Sequence, residues 1–145
     1  MKAVIEIPKG DDRRRHLNHD KTGFVDLGPI KDMIQVNEGI MPVDYGFIPE
    51  TLNKKDDDEV DALVLSDKKF KVGQEVEVKA VAILKRSDGD DKIIVVDETK
   101  KSIKEWQDIP KETRNLIENF FGNRNKVIAI ENAKKAKQYV EENSV

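Results

Sequence analysis

The sequence predicts an α+β protein that is mainly β, with a small closed antiparallel barrel of five strands and one longer and one shorter helix packed outside it. Short runs rich in Val and Ile recur along the chain, and Gly, Asp, Asn or Pro bound each of them. The segments between these runs look like turns instead of long helices, which favours antiparallel pairing and closure over a parallel sheet. Helical spacing of apolar residues appears only late in the chain.

The strand predictions rest on composition and alternation. In residues 75–84, the clearest case, Val76 and Val78 share one face while Glu75 and Glu77 begin the other. One face of this strand must therefore lie in the core. The predicted strands are residues 4–7, 60–65, 75–84, 92–96 and 126–130.

The helix predictions rest on caps and on apolar spacing. The longer helix is expected between Asp108, a candidate N-cap, and Gly122, with Pro110 in its first turn. Its apolar side contains Leu116, Ile117, Phe120 and Phe121. The shorter helix is expected after Asn132 as N-cap. Its apolar side contains Ala133, Ala136 and Val140.

Length and composition exclude several classes of protein. A chain of 145 residues falls in the single-domain range, so residues 1–145 are expected to form one domain. The net charge of −3 and the aromatic content of 6% disfavour a nucleic-acid partner. The absence of cysteine excludes disulfides and thiolate nucleophiles. Without a signal-peptide pattern or an apolar run of about 18 residues, we expect a soluble cytoplasmic protein with no membrane partner.

Acidic side chains are concentrated in residues 56–61, where the spacing D-x-D-x-x-D ends at the start of a predicted strand. Asp56 and Asp58 can project from a turn while the sheet holds Asp61. Carboxylates crowded in this way repel one another unless cations neutralise them, and Mg²⁺ prefers oxygen ligands. A solvated acidic turn is the alternative. An EF-hand loop is disfavoured, because Asp61 stands at its glycine position and Asp67 at its final glutamate.

Four segments, in order, resemble the soluble family I inorganic pyrophosphatases. Residues 56–62, D-D-D-E-V-D-A, resemble the family signature, and residues 42–52, P-V-D-Y-G-F-I-P-E-T-L, are similar to the segment before it. Residues 4–8, V-I-E-I-P, match the opening strand. Residues 88–96, D-G-D-D-K-I-I-V-V, resemble a second acidic loop and its strand, although the loop is shorter here. The resemblance implies an OB-like barrel, a homo-oligomer, and hydrolysis of pyrophosphate to phosphate.

The resemblance also implies residue roles. The positions that match carboxylates holding several Mg²⁺ ions, or Mn²⁺, are Asp56, Asp61, Asp88 and Asp90. Glu6 alternates away from Ile5 and Ile7, so it can point into a polar barrel mouth and bind a metal through water. Asp58 matches the general base, which takes a proton as water attacks one phosphorus in line. The implied substrate-binding residues are Lys92, Tyr45 and Arg15.

The phosphate-binding side departs from the family pattern. A Lys and a Glu two residues apart in the family fall on Arg15 and Leu17 when counted from Glu6, or on His16 and Asn18 when counted back from Asp20. Either way the Glu is missing. An arginine falls on Met33, a tyrosine on Met41, and a Tyr-Lys pair on residues 124–125. Because positive groups balance developing charge, losing several of them should slow the reaction. Other basic residues are available to compensate, namely Arg13, Arg14, Arg15, Arg124 and Lys126.

Several alternatives stay open. The altered phosphate-binding positions also suit a hydrolase of another small phosphoanhydride, or a catalytically weakened relative that binds metal or phosphate in a regulatory role. From the residues alone, Lys92 is equally an exposed strand lysine and Tyr45 a core tyrosine. His16 and His19 have no ligand partner at a recognisable spacing and are predicted as surface residues.

Overall fold

The computed structural model describes residues 1–18 and 22–145. The described residues form eight strands and two α-helices, joined in places by short 3₁₀ turns. In chain order these are β1 (Lys2–Ile7), β2 (Arg13–Leu17), β3 (Phe24–Pro29), β4 (Asp44–Asn53), β5 (Asp58–Leu65), β6 (Glu75–Arg86), β7 (Lys92–Asp97), α1 (Lys111–Phe121), β8 (Val127–Asn132) and α2 (Ala133–Glu142).

Five strands close into a barrel. They are hydrogen-bonded in the order β1-β4-β5-β7-β6, and β1 also pairs with β6. The predicted mainly-β barrel with two helices is therefore confirmed. One pairing differs from the antiparallel expectation, because β5 and β7 run parallel. The chain between them contains the long strand β6, which pairs antiparallel with β7, so that β7 returns in the same direction as β5.

The strand that completes the barrel is not the one that composition predicts. The predicted strand at residues 126–130 overlaps β8, which extends the sheet beyond β6 and lies outside the closed ring. The fifth barrel strand is β4, which contains Gly46 and Pro49 and has a register shift after Ile48. Gly and Pro are depleted in strands, so composition hides this one. The hairpin of β2 and β3 was likewise not predicted, because its first strand is a run of charged residues.

The barrel wall carries apolar side chains on both faces. Along β5, Val60, Ala62 and Val64 join one core cluster, which also contains Ala136 of α2. Leu63 and Leu65 point to the opposite face and join the cluster that contains Phe120 and Phe121 of α1. Because strand side chains alternate, Asp61 lies on the same face as Leu63. The sheet thus directs this carboxylate towards the side of the barrel that α1 covers.

The helix ends confirm two of the three predicted caps. Gly122 follows the last residue of α1, and Asn132 accepts a hydrogen bond from the Lys135 backbone N–H at 3.1 Å at the start of α2. The Asp108 prediction is wrong, because its carboxylate closes a 3₁₀ turn with Glu105 instead. Within the described residues, neither helix has the length and apolar character of a membrane-spanning segment.

Candidate active site

Three carboxylates converge where β5 and β7 lie side by side. Asp56 comes from the turn before β5, Asp61 from β5 itself, and Asp90 from the loop before β7. Each can place one oxygen within 4.8 Å of the others. The parallel register pairs Asp61 with Lys92. The tertiary structure thus assembles three of the four carboxylates that the resemblance implies as metal ligands.

The electrostatics of this group favour a bound cation. Burial raises the pKa of Asp56 to about 6, with a further contribution from the charge of Asp90. Burial also raises the pKa of Asp61 to about 6, against the opposing charge of Lys92. The Asp90 Oδ1 atom is buried and has no hydrogen-bond partner among the described residues. Oxygen donors that are crowded and incompletely paired fit a hard divalent ion.

Lys92 is the fixed positive charge inside the group. It is only 3% exposed, and its Nζ donates to Asp61 at 3.0 Å, to Asp90 at 3.4 Å and to the Tyr45 hydroxyl at 2.9 Å. It is therefore not an ordinary exposed strand lysine. Tyr45 stacks on Phe121 with ring centroids 5.9 Å apart, and burial raises its pKa well above the ordinary value. Two of the three predicted substrate-binding residues, Lys92 and Tyr45, thus lie beside the carboxylates.

Asp58 lies next to this group and contacts a histidine. Its Oδ2 is 2.7 Å from His16 Nε2, while His16 Nδ1 is 3.4 Å from Glu6. Burial raises the pKa of Asp58, and burial raises that of Glu6 to about 8. His16 is partly exposed, and it has two carboxylate neighbours that its sequence spacing did not indicate. The spacing could not reveal this contact, because hairpin formation brings β2 to the site; His19 lies outside the described residues.

The other two predicted residues have different surroundings. Asp88, the fourth predicted metal ligand, is not part of the group of three carboxylates, and the guanidinium of Arg86 lies 3.7 Å from it. Arg15 forms an ion pair with Asp11. The sequence interpretation overlooked Arg86. Its place at the end of β6, two residues before an acidic loop, was the available signal.

A cavity of about 560 Å³ adjoins Asp90, Lys92 and Tyr45. Its wall contains the residues that depart from the family pattern and several basic ones. These lining residues include Met33, Met41, Asn125, Arg14, Arg15, Arg86 and Arg124. Arg13 instead pairs with Asp26 on β3 at 3.0 Å. The cavity is therefore lined by acidic side chains, Asp88 and Asp90, and by basic ones, as a site for a metal-bound anion requires.

The acidic side chains make the stability of the metal-free protein depend on pH. The raised pKa values of Glu6, Asp56 and Asp61 mean that the folded state binds these protons more tightly than the unfolded state. This stabilisation is complete at a pH below the ordinary pKa values of these groups. It is lost as the pH rises through their raised pKa values in the folded state. We expect the free energy of unfolding in EDTA to fall between pH 4.5 and about 8.

Denaturant unfolding at several pH values, with EDTA and with Mg²⁺, measures this effect. Mg²⁺ is expected to reduce the loss of stability at the upper end of this pH range, because a ligand that binds only the folded state stabilises it. A protein that gains stability over the same range in EDTA would contradict the prediction.

Comparison with known proteins agrees with this geometry. The model of the inorganic pyrophosphatase family matches residues 3–144. The inorganic pyrophosphatase of Leifsonia xyli subsp. xyli is 40% identical over 125 residues, which span 82% of this chain and 73% of that protein. That of Thermus thermophilus is 37% identical over 125 residues, spanning 81% and 67%. The crystal structure of inorganic pyrophosphatase from Ehrlichia chaffeensis superposes with a TM-score of 0.88 at 25% identity, covering 99% of this chain and 92% of that one. The chain therefore belongs to the inorganic pyrophosphatase family.

Proposed function

We propose that this protein hydrolyses inorganic pyrophosphate to two phosphates, using divalent metal ions and Asp58 as the general base. The observation that carries the proposal is the convergence of Asp56, Asp61 and Asp90 beside Lys92, of which Asp90 and Lys92 also line a cavity that contains arginines. Opposite charges at one site match a substrate that is an anion carrying metal ions.

Asp56, Asp61 and Asp90 would hold a metal ion, with Glu6 contributing through water. We propose Mg²⁺ as the physiological ion, with Mn²⁺ as a substitute. When bound, such ions lower the pKa of water and neutralise phosphate oxygens. The raised pKa values of Asp56 and Asp61 favour this assignment, since crowded carboxylates with few compensating charges gain most from a cation.

Asp58 would take the proton from the attacking water. Its Oδ1 accepts a hydrogen bond from the Glu59 backbone N–H at 2.9 Å, and His16 lies against Oδ2. These contacts hold the carboxylate in one orientation, which a general base requires. Burial raises its pKa, and a stronger base accepts a proton more readily.

Lys92, Tyr45 and Arg15 would bind the substrate, together with Arg14 and Arg124 of the cavity wall. Lys92 supplies a point charge and Tyr45 a hydroxyl. Arg15 is paired with Asp11, so binding phosphate would need its guanidinium to share or exchange this partner. Arg14 and Arg124 also line the cavity, where they can replace the positive groups lost at the altered positions.

A phosphate-release assay tests the function directly. Purified protein with pyrophosphate and Mg²⁺, and then with Mn²⁺, is expected to release phosphate, and EDTA is expected to abolish the release. No release with any of a range of divalent ions would contradict the proposal. Intact metal affinity without hydrolysis would instead support a regulatory relative.

A second candidate function is the hydrolysis of another small phosphoanhydride. Met33, Met41 and Asn125 line the cavity where the family pattern places polar or charged groups. The less polar wall would accept a substituent that pyrophosphate lacks. Comparing kcat/KM across a panel of phosphoanhydrides separates the two functions, because the preferred substrate has the highest value.

We further propose a cytoplasmic homo-oligomer in which residues 1–145 form one domain. Exposed apolar side chains at Val25, Leu27 and Ile128 support association between copies of the chain. Light scattering on the purified protein tests the oligomer, and cell fractionation tests the location.

A further inference from the structure

We propose that Arg86 is a fixed cation of this site, which binds Asp88 and takes the place of one divalent ion. The metal-binding group of this chain is then Asp56, Asp61 and Asp90. The inference rests on the proposed function in that it assumes a divalent ion at these three carboxylates. It changes the role of Asp88 from a metal ligand to the partner of an arginine.

The position of Arg86 is the first step. Arg86 is the last residue of β6, and its side chain is only 12% exposed. Its Nη2 lies 3.7 Å from Asp88 Oδ2, and its Nη1 lies 3.4 Å from Asp90 Oδ2. The guanidinium therefore lies between the first and third residues of the acidic loop. It stays charged at any physiological pH, so it provides a permanent positive charge there.

The acidic loop is attached firmly to the strand that carries Arg86. Asp91 accepts a hydrogen bond from the Arg86 backbone N–H at 2.9 Å and another from Lys85 Nζ at 3.1 Å. Asp88 accepts one from the Asp90 backbone N–H at 3.0 Å. These contacts hold the loop carboxylates beside the guanidinium. Moving Asp88 to the other carboxylates would break its ion pair with a mostly buried arginine.

The balance of charge is the second step. Asp56, Asp61, Asp88 and Asp90 face two fixed cations, Lys92 and Arg86. Four carboxylates against two cations leave two negative charges among these groups, which a single divalent ion would balance. Without Arg86 the excess would be larger, and Asp88 would be free to hold a further ion with Asp90. Carboxylates crowded in this way need such compensation, because neighbouring like charges disfavour the ionised forms.

Counting bound Mn²⁺ by the electron paramagnetic resonance signal of the free ion tests the proposal without an activity measurement. Arg86→Gln is expected to bind about one Mn²⁺ per chain more than the wild type, because the variant frees Asp88. Asp88→Asn alone should keep the wild-type number. The double variant should lose the ion that Arg86→Gln gains. Arg13→Gln, which removes an ion pair outside the cavity, is the matched control and should change nothing.

Two results would overturn the proposal: an unchanged Mn²⁺ number in Arg86→Gln, or the loss of an ion in Asp88→Asn. Circular dichroism checks that each variant folds. If Arg86→Gln fails to fold, Asp88→Asn still decides, because this partly exposed loop residue is replaced by a side chain of the same shape.

Kinetics separate this role from direct contact with phosphate. Arg86→Gln is expected to raise the Mg²⁺ concentration needed for half-maximal activity by about 10-fold, while KM for pyrophosphate at saturating Mg²⁺ stays unchanged. A higher KM at saturating Mg²⁺ with an unchanged Mn²⁺ number would assign Arg86 to substrate binding and overturn the proposal. If the protein hydrolyses no pyrophosphate, the Mn²⁺ numbers still test the role of Arg86.

Discussion

Replacing Asp58 with asparagine is expected to lower kcat for pyrophosphate by about 10²- to 10⁴-fold, the usual contribution of a general base. The amide has nearly the same shape as the carboxylate and can keep the contacts with His16 and the Glu59 backbone. It cannot accept the proton of the attacking water. The loss should therefore fall on kcat, with little change in the folded structure or in Mn²⁺ affinity.

Asp57→Asn is the matched control for this variant. Asp57 lies in the same turn, is exposed, and has a φ of 57°, a conformation that asparagine adopts readily. Steady-state phosphate release with both variants, beside Mn²⁺ binding, makes the comparison. A kcat within a few-fold of wild type in Asp58→Asn would reject the general base. A loss of Mn²⁺ affinity would identify Asp58 as a metal ligand instead.

Gly46→Ala is expected to lower the free energy of unfolding by about 4 kcal/mol or more, enough to prevent stable folding of many proteins. Gly46 pairs with Ile5 where β1 and β4 meet. A Cβ atom at this position would lie 1.9 Å from the Val4 carbonyl oxygen and 2.8 Å from its carbon. Both atoms are backbone, so relief requires separating two strands of the barrel. Tyr45, the neighbouring residue, would lose its position in the site.

Gly23→Ala is the control for this substitution. Among the described residues, a Cβ atom there would have one neighbour within 4 Å, the Asn18 side chain at 4.0 Å. Its unfolding free energy should stay within about 0.5 kcal/mol of wild type, as for most surface substitutions. Denaturant unfolding of both variants measures the difference. Near-equal stability of Gly46→Ala and wild type would show that the strands β1 and β4 are not as close as described.

The fold was predictable where the pattern is local and regular. The alternation in residues 75–84 predicts β6, and Asn132 predicts the start of α2, because each signal lies within a few residues of the feature it specifies. Which strands form the barrel could not be predicted in this way. Gly46 allows β4 to lie close to β1. Because β1 is distant in the sequence, the residues around Gly46 do not indicate that a glycine is required there.

The same distinction between local and long-range contacts applies to the candidate site. The turn of residues 56–61 specifies its own carboxylates by spacing, and the resemblance assigned them to metal binding and to proton transfer. The sequence alone thus predicted the family and the closed barrel, and it named the carboxylates of the candidate site.

Only the tertiary structure decided which side chains meet these carboxylates. Lys92 reaches Asp61 because β5 and β7 pair in parallel, and His16 reaches Asp58 because a hairpin returns to β5. Arg86, and not the group of three carboxylates, meets Asp88. These contacts depend on strand register and on closure of the barrel, and both result from many weak interactions across the whole barrel. Residue spacing in the sequence indicates only contacts between neighbours along the chain.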